Sequence, residues 1–212
     1  MEVSSDDLER SGEHYNPGAE TTPRQASSVI VIRGGADTLE LLLVKRNPAQ
    51  RFMGGAWVFP GGAVDAHEGE GDAAHRAAAV RELDEEATIA GVDPAALVKF
   101  SRWITPVEVK IRFDTHFFIT ALPHGAEPRA DGRECVDARW FTPQGALDAH
   151  RDDEILLVFP TIKHLEQVGR FATADALLAY AGGRDVTAVL PKVIVEGESV
   201  RVVLPGEPGY DD

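Results

Sequence analysis

The sequence is poor in cysteine and in long apolar runs. Cys135 is the single cysteine among 212 residues, so no disulfide can form within the chain. No stretch approaches the roughly 20 apolar residues that a bilayer-spanning helix needs. The first residues, Met-Glu-Val-Ser-Ser-Asp-Asp, lack the apolar core of a signal peptide. These absences predict a cytoplasmic protein in a reducing compartment that does not enter the membrane.

Positive charge is also scarce. Lys and Arg number 21 against 35 Asp and Glu, which gives a formal net charge of -14. A chain so acidic is not expected to bind nucleic acid, because the phosphate backbone would be repelled. If its substrate is a small phosphate compound, metal ions or a local basic cluster must screen that repulsion. Hydrophobic residues make up 43 %, enough to form the core of one domain of moderate size.

Composition divides the chain into three parts. Residues 1–26 are polar and acidic, which predicts a mobile leader, the alternative being an ordered arm that reaches a partner subunit. Residues 27–149 mix strand and helix patterns, which predicts an α/β/α sandwich with a mixed sheet. Residues 150–212 are predicted to form a C-terminal extension packed on this domain or on the partner in a homodimer.

Hydrophobic patterning and turn residues locate the elements. Strands are predicted at residues 28–33, 40–45, 56–59, 100–105, 112–122 and 140–141, and helices at 72–90, 143–149, 160–168 and 173–181. A C-terminal hairpin is predicted from 188–195 and 199–204, with its turn at Glu196-Gly197-Glu198.

The most informative segment is Arg81-Glu82-Leu83-Asp84-Glu85-Glu86, within the predicted helix 72–90. At about 100° per residue, one face carries an apolar stripe and the other a carboxylate cluster. The stripe is Val80, Leu83 and Ala87, and the cluster is Glu82, Glu85 and Glu86. By itself this pattern is typical of a solvated charged face. Arg81 is expected to pair with Glu85, one turn further on.

The segment before this helix favours a metal site over a plain charged surface. Phe59-Pro60-Gly61-Gly62 is followed by Glu68, and glycines let a backbone turn tightly and approach an ion closely. Carboxylate and carbonyl oxygens are the ligands that Mg²⁺ or Mn²⁺ requires. Such ions neutralise the charge that builds up during displacement at phosphorus.

Together these motifs resemble the signature of the Nudix hydrolases, Gly-x(5)-Glu-x(7)-Arg-Glu-hydrophobic-x-Glu-Glu-x-Gly-hydrophobic. The matching residues are Gly62, Glu68, Arg81, Glu82, Leu83, Glu85, Glu86 and Ile89. Twelve residues separate Glu68 from Arg81, so five are inserted, and we expect them in the loop before the helix. Thr88 replaces the last glycine, and Gly91 is expected to make the turn instead.

The resemblance implies a role for each matching residue. Glu82 and Glu86 would be the principal ligands of Mg²⁺ or Mn²⁺, with Glu85 beside them. The carbonyl of Gly61 and, despite the insertion, Glu68 would complete the set. Glu134, in a later loop, would add a carboxylate, its alternative being a solvated loop residue. The catalytic group would then comprise Arg81, Glu85 and Glu134, with Glu85 or Glu134 as general base.

A second pattern lies upstream, in Leu42-Leu43-Val44-Lys45-Arg46-Asn47, Arg51, Gly55 and Phe59-Pro60-Gly61-Gly62. It is similar to a motif of the coenzyme A diphosphatases within the Nudix family, from which it departs at Val44 and Asn47. The similarity, to a peroxisomal-type branch and its bacterial relatives, covers most of residues 27–208. It implies that Arg46 and Arg51 bind the phosphates of coenzyme A or acyl-coenzyme A. The alternative is that both arginines pair with acidic neighbours.

Two other functions stay open. One is hydrolysis of ADP-ribose or another nucleoside diphosphate linked to a different group. The other is a Nudix module that binds a nucleotide without turnover, although such modules usually lose the carboxylates retained here. The histidines have no zinc-site spacing, and Cys135 is expected to be a packing thiol.

Overall fold

Runs of β-branched residues and leucine form the strands of one large mixed sheet. The computed structural model describes residues 2–3, 20–196 and 199–211. The strands are β1 (Glu2–Val3), β2 (Arg24–Arg33), β3 (Glu40–Arg46), β4 (Ala56–Val58), β5 (Gly61–Ala63), β6 (Val98–Ile104), β7 (Phe113–Ala121), β8 (Cys135–Phe141), β9 (Leu156–Leu157), β10 (Ala188–Val189), β11 (Lys192–Glu196) and β12 (Ser199–Val203). The helices are α1 (Gly71–Ala87), α2 (Pro143–Arg151), α3 (Phe159–Val168) and α4 (Ala174–Gly182).

Nine of the described strands form one sheet, in the order β10-β6-β7-β2-β3-β4-β9, with β5 paired to β2 and β8 paired to β3. The β2–β7, β6–β10 and β4–β9 pairs are parallel, whereas the remaining pairs in this sheet are antiparallel. A smaller antiparallel sheet joins β1, β12 and β11. The predicted mixed sheet is therefore confirmed.

Alternating residues of β2 pack into two separate cores. Val29 and Val31 pack with Leu83 of α1 on one face of the sheet. Ile30 and Ile32 pack with residues of α2, α3 and α4 on the other face. Side chains alternate across a strand, so a strand with two covered faces carries a continuous apolar run. These two helical layers confirm the predicted α/β/α sandwich.

Part of the predicted leader belongs to the sheet. Strand β2 begins at Arg24, where it pairs with Phe113 of β7, so the predicted boundary at residue 26 lies inside this strand. The buried guanidinium of Arg112 donates to the carbonyl oxygen of Thr21 at 2.6 Å. These contacts depend on backbone groups and on a distant arginine, which is why the polar composition did not reveal them. Residues 4–19 of the predicted leader lie outside the described residues.

The structure also revises several element boundaries. Strand β8 begins at Cys135 rather than residue 140. Among the described strands it pairs with β3 alone, and its polar positions 137 and 139 break the apolar pattern that would have indicated a strand. Gly61-Gly62, expected from the sequence to allow a tight turn, lies in strand β5 (Gly61–Ala63), which pairs with β2. The predicted pairing of β11 with β12 is confirmed, while residues 197–198 of its turn lie outside the described residues. None of the described helices is long and apolar enough to cross a bilayer.

Helix α1 ends three residues before the predicted end. Thr88 adopts a left-handed conformation, φ 53°, and its N–H bonds back to the carbonyl oxygen of Asp84 at 3.1 Å. The N–H of Ile89 bonds to the carbonyl oxygen of Leu83 at 3.0 Å, which completes a helix-ending motif. The expectation that Gly91 replaces the missing glycine was therefore wrong, because Thr88 makes the turn itself.

Candidate active site

The site is built where β5 passes close to β2 and α1. A Cβ on Gly61 would lie 2.4 Å from the carbonyl oxygen of Ser27, and a Cβ on Gly62 would lie 2.2 Å from Oε1 of Glu82. At Gly61 the obstacle is the backbone of β2, whereas at Gly62 it is the Glu82 carboxylate, which a side chain would displace. The two glycines therefore allow the backbone to lie directly against the carboxylate of Glu82.

Two neighbouring carboxylates are buried at this point. Glu82 and Glu86 are 8 % and 2 % exposed. The N–H of Gly61 donates to Oε2 of Glu86 at 2.9 Å. Burial raises the pKa of Glu86 to about 7, and the charges of Glu82 and Glu134 add to this effect against the Gly61 hydrogen bond. Burial likewise raises the pKa of Glu82, although Arg81 opposes it. For both carboxylates the effect of burial on the pKa thus outweighs the nearby positive charge of Arg81 and Arg46.

Arg81 organises the surrounding acidic groups. Its Nη1 donates to Glu82 Oε1 at 2.7 Å and to Glu85 Oε2 at 2.9 Å, and its Nη2 donates to the carbonyl oxygen of Ala63 at 2.9 Å. The predicted pairing of Arg81 with Glu85 is confirmed. Arg81 therefore links β5 to Glu82 and Glu85 of α1, which holds this helix against β5.

Glu68 is bound to the same arginine. Arg81 Nε donates to Glu68 Oε1 at 3.0 Å, and the N–H of Asp65 donates to Glu68 Oε2 at 2.6 Å. Only Gly69 and Glu70 separate Glu68 from α1. The sequence analysis placed the five inserted residues in the loop before the helix. In the structure they lengthen the helix instead. Glu68 keeps its place beside Arg81, and its role as a metal ligand stays a prediction.

Glu134 lies across a pocket from the helix. A pocket of about 650 Å³ is lined by Glu85, Glu86, Asp131, Arg133 and Glu134. The carboxylate of Asp131 accepts hydrogen bonds from the N–H groups of residues 133, 134 and 135, which orders the loop. The sequence analysis did not identify Asp131 or Arg133. The Asp131-Gly132 turn was the available signal.

The two predicted substrate arginines differ in their surroundings. Arg46 is half-buried, donates to Gln50 Oε1 at 2.9 Å and to the carbonyl oxygen of Phe52 at 3.3 Å, and lies 3.5 Å from Glu86 Oε1. Arg51 is exposed in the loop between β3 and β4. Arg46 thus has an acidic neighbour, Glu86, as the alternative interpretation expects, and its guanidinium lies beside this buried carboxylate. Substrate binding by either arginine stays a prediction.

A comparison with family models matches residues 22–159 to the NUDIX domain. The chain belongs to the NUDIX family. The match includes β5, α1 and the Glu134 loop, so every site residue predicted from the sequence lies within the NUDIX domain.

Individual relatives support the same family. The chain is 29 % identical over 124 residues to acyl-coenzyme A diphosphatase NUDT19 of Xenopus laevis, covering 55 % of this chain and 33 % of that protein. It therefore spans about a third of that relative's length. A NUDIX hydrolase from Alicyclobacillus acidocaldarius is 27 % identical, with a TM-score of 0.67, covering 76 % of this chain and 97 % of that one.

A third relative shares the fold alone. It is the NUDIX domain of Shewanella oneidensis NrtR, solved with ADP ribose. It has 16 % identity and a TM-score of 0.54, and the match covers 79 % of this chain and 98 % of that domain.

NUDIX hydrolases generally use divalent metal ions, and the chemistry of this site fits one. Among the side chains of residues 20–194 and 201–211, no three of His, Cys, Asp and Glu converge closely enough to hold an ion as they stand. The Gly61 N–H and Arg81 occupy the oxygens that an ion would need. However, Glu82 and Glu86 are buried with raised pKa values, and buried charge requires pairing or a metal. The residues therefore fit a divalent cation.

Proposed function

We propose that this protein is a metal-dependent hydrolase that cleaves the diphosphate of coenzyme A or an acyl-coenzyme A. The products would be 3′,5′-ADP and 4′-phosphopantetheine or its acyl form. The observation that carries the hydrolase proposal is the buried pair Glu82 and Glu86, packed against Gly61-Gly62. The coenzyme A part is supported by the motif from Leu42 to Gly62 and by the similarity to an acyl-coenzyme A diphosphatase.

The carboxylates would hold the cofactor and Arg81 would hold the carboxylates. Glu82, Glu86 and the carbonyl of Gly61 are the proposed ligands of Mg²⁺ or Mn²⁺, with Glu85 and Glu68 at the edge of the set. Such an ion would neutralise charge on the diphosphate as a phosphorus–oxygen bond breaks. Arg81 fixes Glu82 and Glu85 on one side of α1. Arg46, at the mouth of the buried pair, would attract a substrate phosphate.

Between the two candidate bases, the contacts favour Glu134. Both carboxylates are exposed and line the pocket beside Glu86, but Oε2 of Glu85 accepts a hydrogen bond from Arg81. A carboxylate at the pocket wall is placed to take a proton from the attacking water. We therefore propose Glu134 as general base and Glu85 as an anchor for Arg81. If so, Glu134→Gln lowers kcat much more than Glu85→Gln does.

The decisive experiment measures turnover of a substrate panel with Mg²⁺ and with Mn²⁺, with products identified by mass. The panel contains coenzyme A, several acyl-coenzyme A compounds, dephospho-coenzyme A and ADP-ribose. The expected result is the highest kcat/KM for a coenzyme A compound. A kcat/KM for ADP-ribose well above all of them would contradict the substrate and leave the hydrolase intact.

The metal helix is tested on whichever substrate is turned over. Glu82→Gln is expected to lower kcat by about a hundredfold or more, because charge neutralisation by the metal is the main catalytic effect. Asp84→Asn is the matched control, because Asp84 is an exposed carboxylate on the same helix. Equal activity of the two variants would show that the buried pair does not hold a catalytic metal.

Arg51 provides a separate test of substrate binding. It is exposed in its loop, so Arg51→Ala removes charge without opening the core. If Arg51 contacts a phosphate equally in the ground and transition states, this change raises KM and leaves kcat nearly unaltered. An unchanged KM would remove Arg51 from the site.

A further inference from the structure

A second cavity lies on the opposite face of the sheet from α1. It has a volume of about 620 Å³, which is within the range of small-molecule pockets. Its walls are mostly apolar, with Trp103 and Phe117 from the sheet and Leu157 and Phe159 from β9 and α3. None of the predicted site residues lines it.

Five of the seven polar side chains that line this cavity, all but Thr115 and Asp153, have a partner within the described part of the chain. Gln144 donates to Asp148 at 2.7 Å, Glu166 accepts from Lys163 at 2.9 Å, and Thr105 accepts from the N–H of Phe113 at 3.0 Å. Arg151 pairs with Asp148, and Nδ1 of His150 lies 3.1 Å from the carbonyl oxygen of Ile155. A nucleobase needs polar groups to recognise its edges, whereas a hydrocarbon chain needs none. The cavity therefore suits an apolar chain.

The cavity lies at the same end of the sheet as β5, the strand that contains Gly61 and Gly62. Ser28 of β2 is in register with Gly61 of β5 on one side and with Phe117 of β7 on the other. Two strand spacings separate the backbones of Phe117 and Gly61, a distance of about 10 Å within the sheet. The extended pantetheine arm of coenzyme A is longer than this in-sheet distance, and it would have to cross to the face opposite α1 to reach the cavity. A group attached to its thiol can therefore lie far from the diphosphate and still belong to the same substrate.

The C-terminal segment forms part of the cavity wall. Val193 of β11 and Val202 of β12 line it, and both lie beyond residue 159, where the match to the NUDIX domain ends. The hydroxyl of Tyr210 donates to the carbonyl oxygen of Leu190 at 2.7 Å, which anchors the hairpin. This part of the wall therefore belongs to the C-terminal extension.

We propose that this cavity binds the acyl chain of an acyl-coenzyme A, and that the C-terminal hairpin thereby sets the preference for chain length. The inference rests on the proposed function, because the acyl chain is part of the proposed substrate. The protein would bind the hydrocarbon chain in the cavity without reacting with the chain. The chain contributes binding energy through the apolar surface that it removes from water.

The first measurement is kcat/KM for coenzyme A and for a series of saturated acyl-coenzyme A compounds. Each methylene that enters the cavity is expected to raise kcat/KM by about fourfold, until the cavity is full. Values that are flat across the series, with coenzyme A itself cleaved, would overturn the inference and leave the proposed function intact.

The second measurement uses Thr115, which lines the cavity from β7. Thr115→Phe fills part of it, and Thr115→Val is the matched control of nearly equal volume. Both substitutes favour strands. We expect Thr115→Phe to lower the ratio of kcat/KM for decanoyl- over acetyl-coenzyme A by at least about tenfold, and Thr115→Val to keep it. Because the result is a ratio, a general loss of activity cancels. An unchanged ratio in folded Thr115→Phe would contradict the proposal.

A binding measurement separates the two proposals and does not depend on the filled variant. Decanoate added to the wild-type protein is expected to change tryptophan fluorescence, because Trp103 lines the cavity, and Trp103→Phe is expected to abolish the change. If no coenzyme A compound is cleaved but decanoate binds in this way, the proposed function fails and the apolar site stands. If decanoate leaves the fluorescence unaltered, the acyl site is refuted.

Discussion

Replacement of Glu86 by glutamine is expected to stabilise the metal-free protein while it destroys the site. Glu86 is 2 % exposed, and burial raises its pKa from 4.5 to about 7. At pH 8 the folded protein must hold this carboxylate charged. In the unfolded chain the same group is solvated and ionises from about pH 4.5. The free energy of unfolding therefore falls as pH rises between these two values.

The size of the effect follows from that difference in pKa. One pKa unit corresponds to about 1.4 kcal/mol, so the shift from 4.5 to about 7 predicts a gain of about 3 kcal/mol for Glu86→Gln well above pH 7. The shift already includes the opposing contributions of Gly61 and Arg46. A glutamine oxygen can still accept the Gly61 N–H, because the substitution keeps the side-chain shape.

The assay is urea denaturation in EDTA at pH 8 and again near pH 4.5. Glu86→Gln should be the more stable protein at pH 8, and the difference should disappear at the lower pH. Added Mg²⁺ should stabilise the wild type, by about 2.7 kcal/mol at a hundred times its Kd, and have little effect on the variant. Asp84→Asn, on the exposed face, is the control. A variant less stable than wild type at pH 8 in EDTA would refute this reasoning.

Three further predictions concern stability. Thr88→Gly should raise the free energy of unfolding by about 0.5–1 kcal/mol in urea denaturation, because Thr88 is β-branched at φ 53°. A loss would show that the hydrogen bonds between the Thr88 hydroxyl and the backbone of Arg129 dominate. Burial lowers the pKa of His164 from 6.5 to about 4, so the free energy of unfolding falls as pH falls through that window. His164→Phe should remove about 2–3 kcal/mol of this loss. An unaltered pH dependence of stability in this variant would assign the loss to His75 and His116. A chain that ends at Arg151 should aggregate in size-exclusion chromatography, because Leu165 and Leu177 complete a core; a soluble active product would contradict this.

The sequence alone determined the fold class and the carboxylate helix. Patterns of adjacent residues carry this information, since the apolar stripe of Val80, Leu83 and Ala87 follows helical periodicity and the alternation in β2 follows the pleat. The pairing of Arg81 with Glu85 was also predictable, because residues four apart are neighbours on any helix. These predictions depend on local geometry, which the chain sets without its distant parts.

The tertiary structure decided which carboxylates are buried. Glu82, Glu85 and Glu86 look alike in the sequence, but Glu85 is exposed, whereas Glu82 and Glu86 lie under β5. Their pKa values depend on desolvation and on charges from distant residues such as Arg46 and Glu134. No local pattern encodes these, because they arise only when strands far apart in the chain are brought together.

The tertiary structure likewise decided where the insertion lies and where the C-terminal extension packs. Counting residues predicted that the insertion lies in a loop. In the structure the helix begins earlier instead, because a helix can lengthen at its start without disturbing its last turns. The extension was predicted to pack on the domain or on a partner subunit, but the cavity that it helps to line depends on β7, α3 and β12 meeting in space. A pocket has no sequence pattern of its own, because its walls share only their position in the fold.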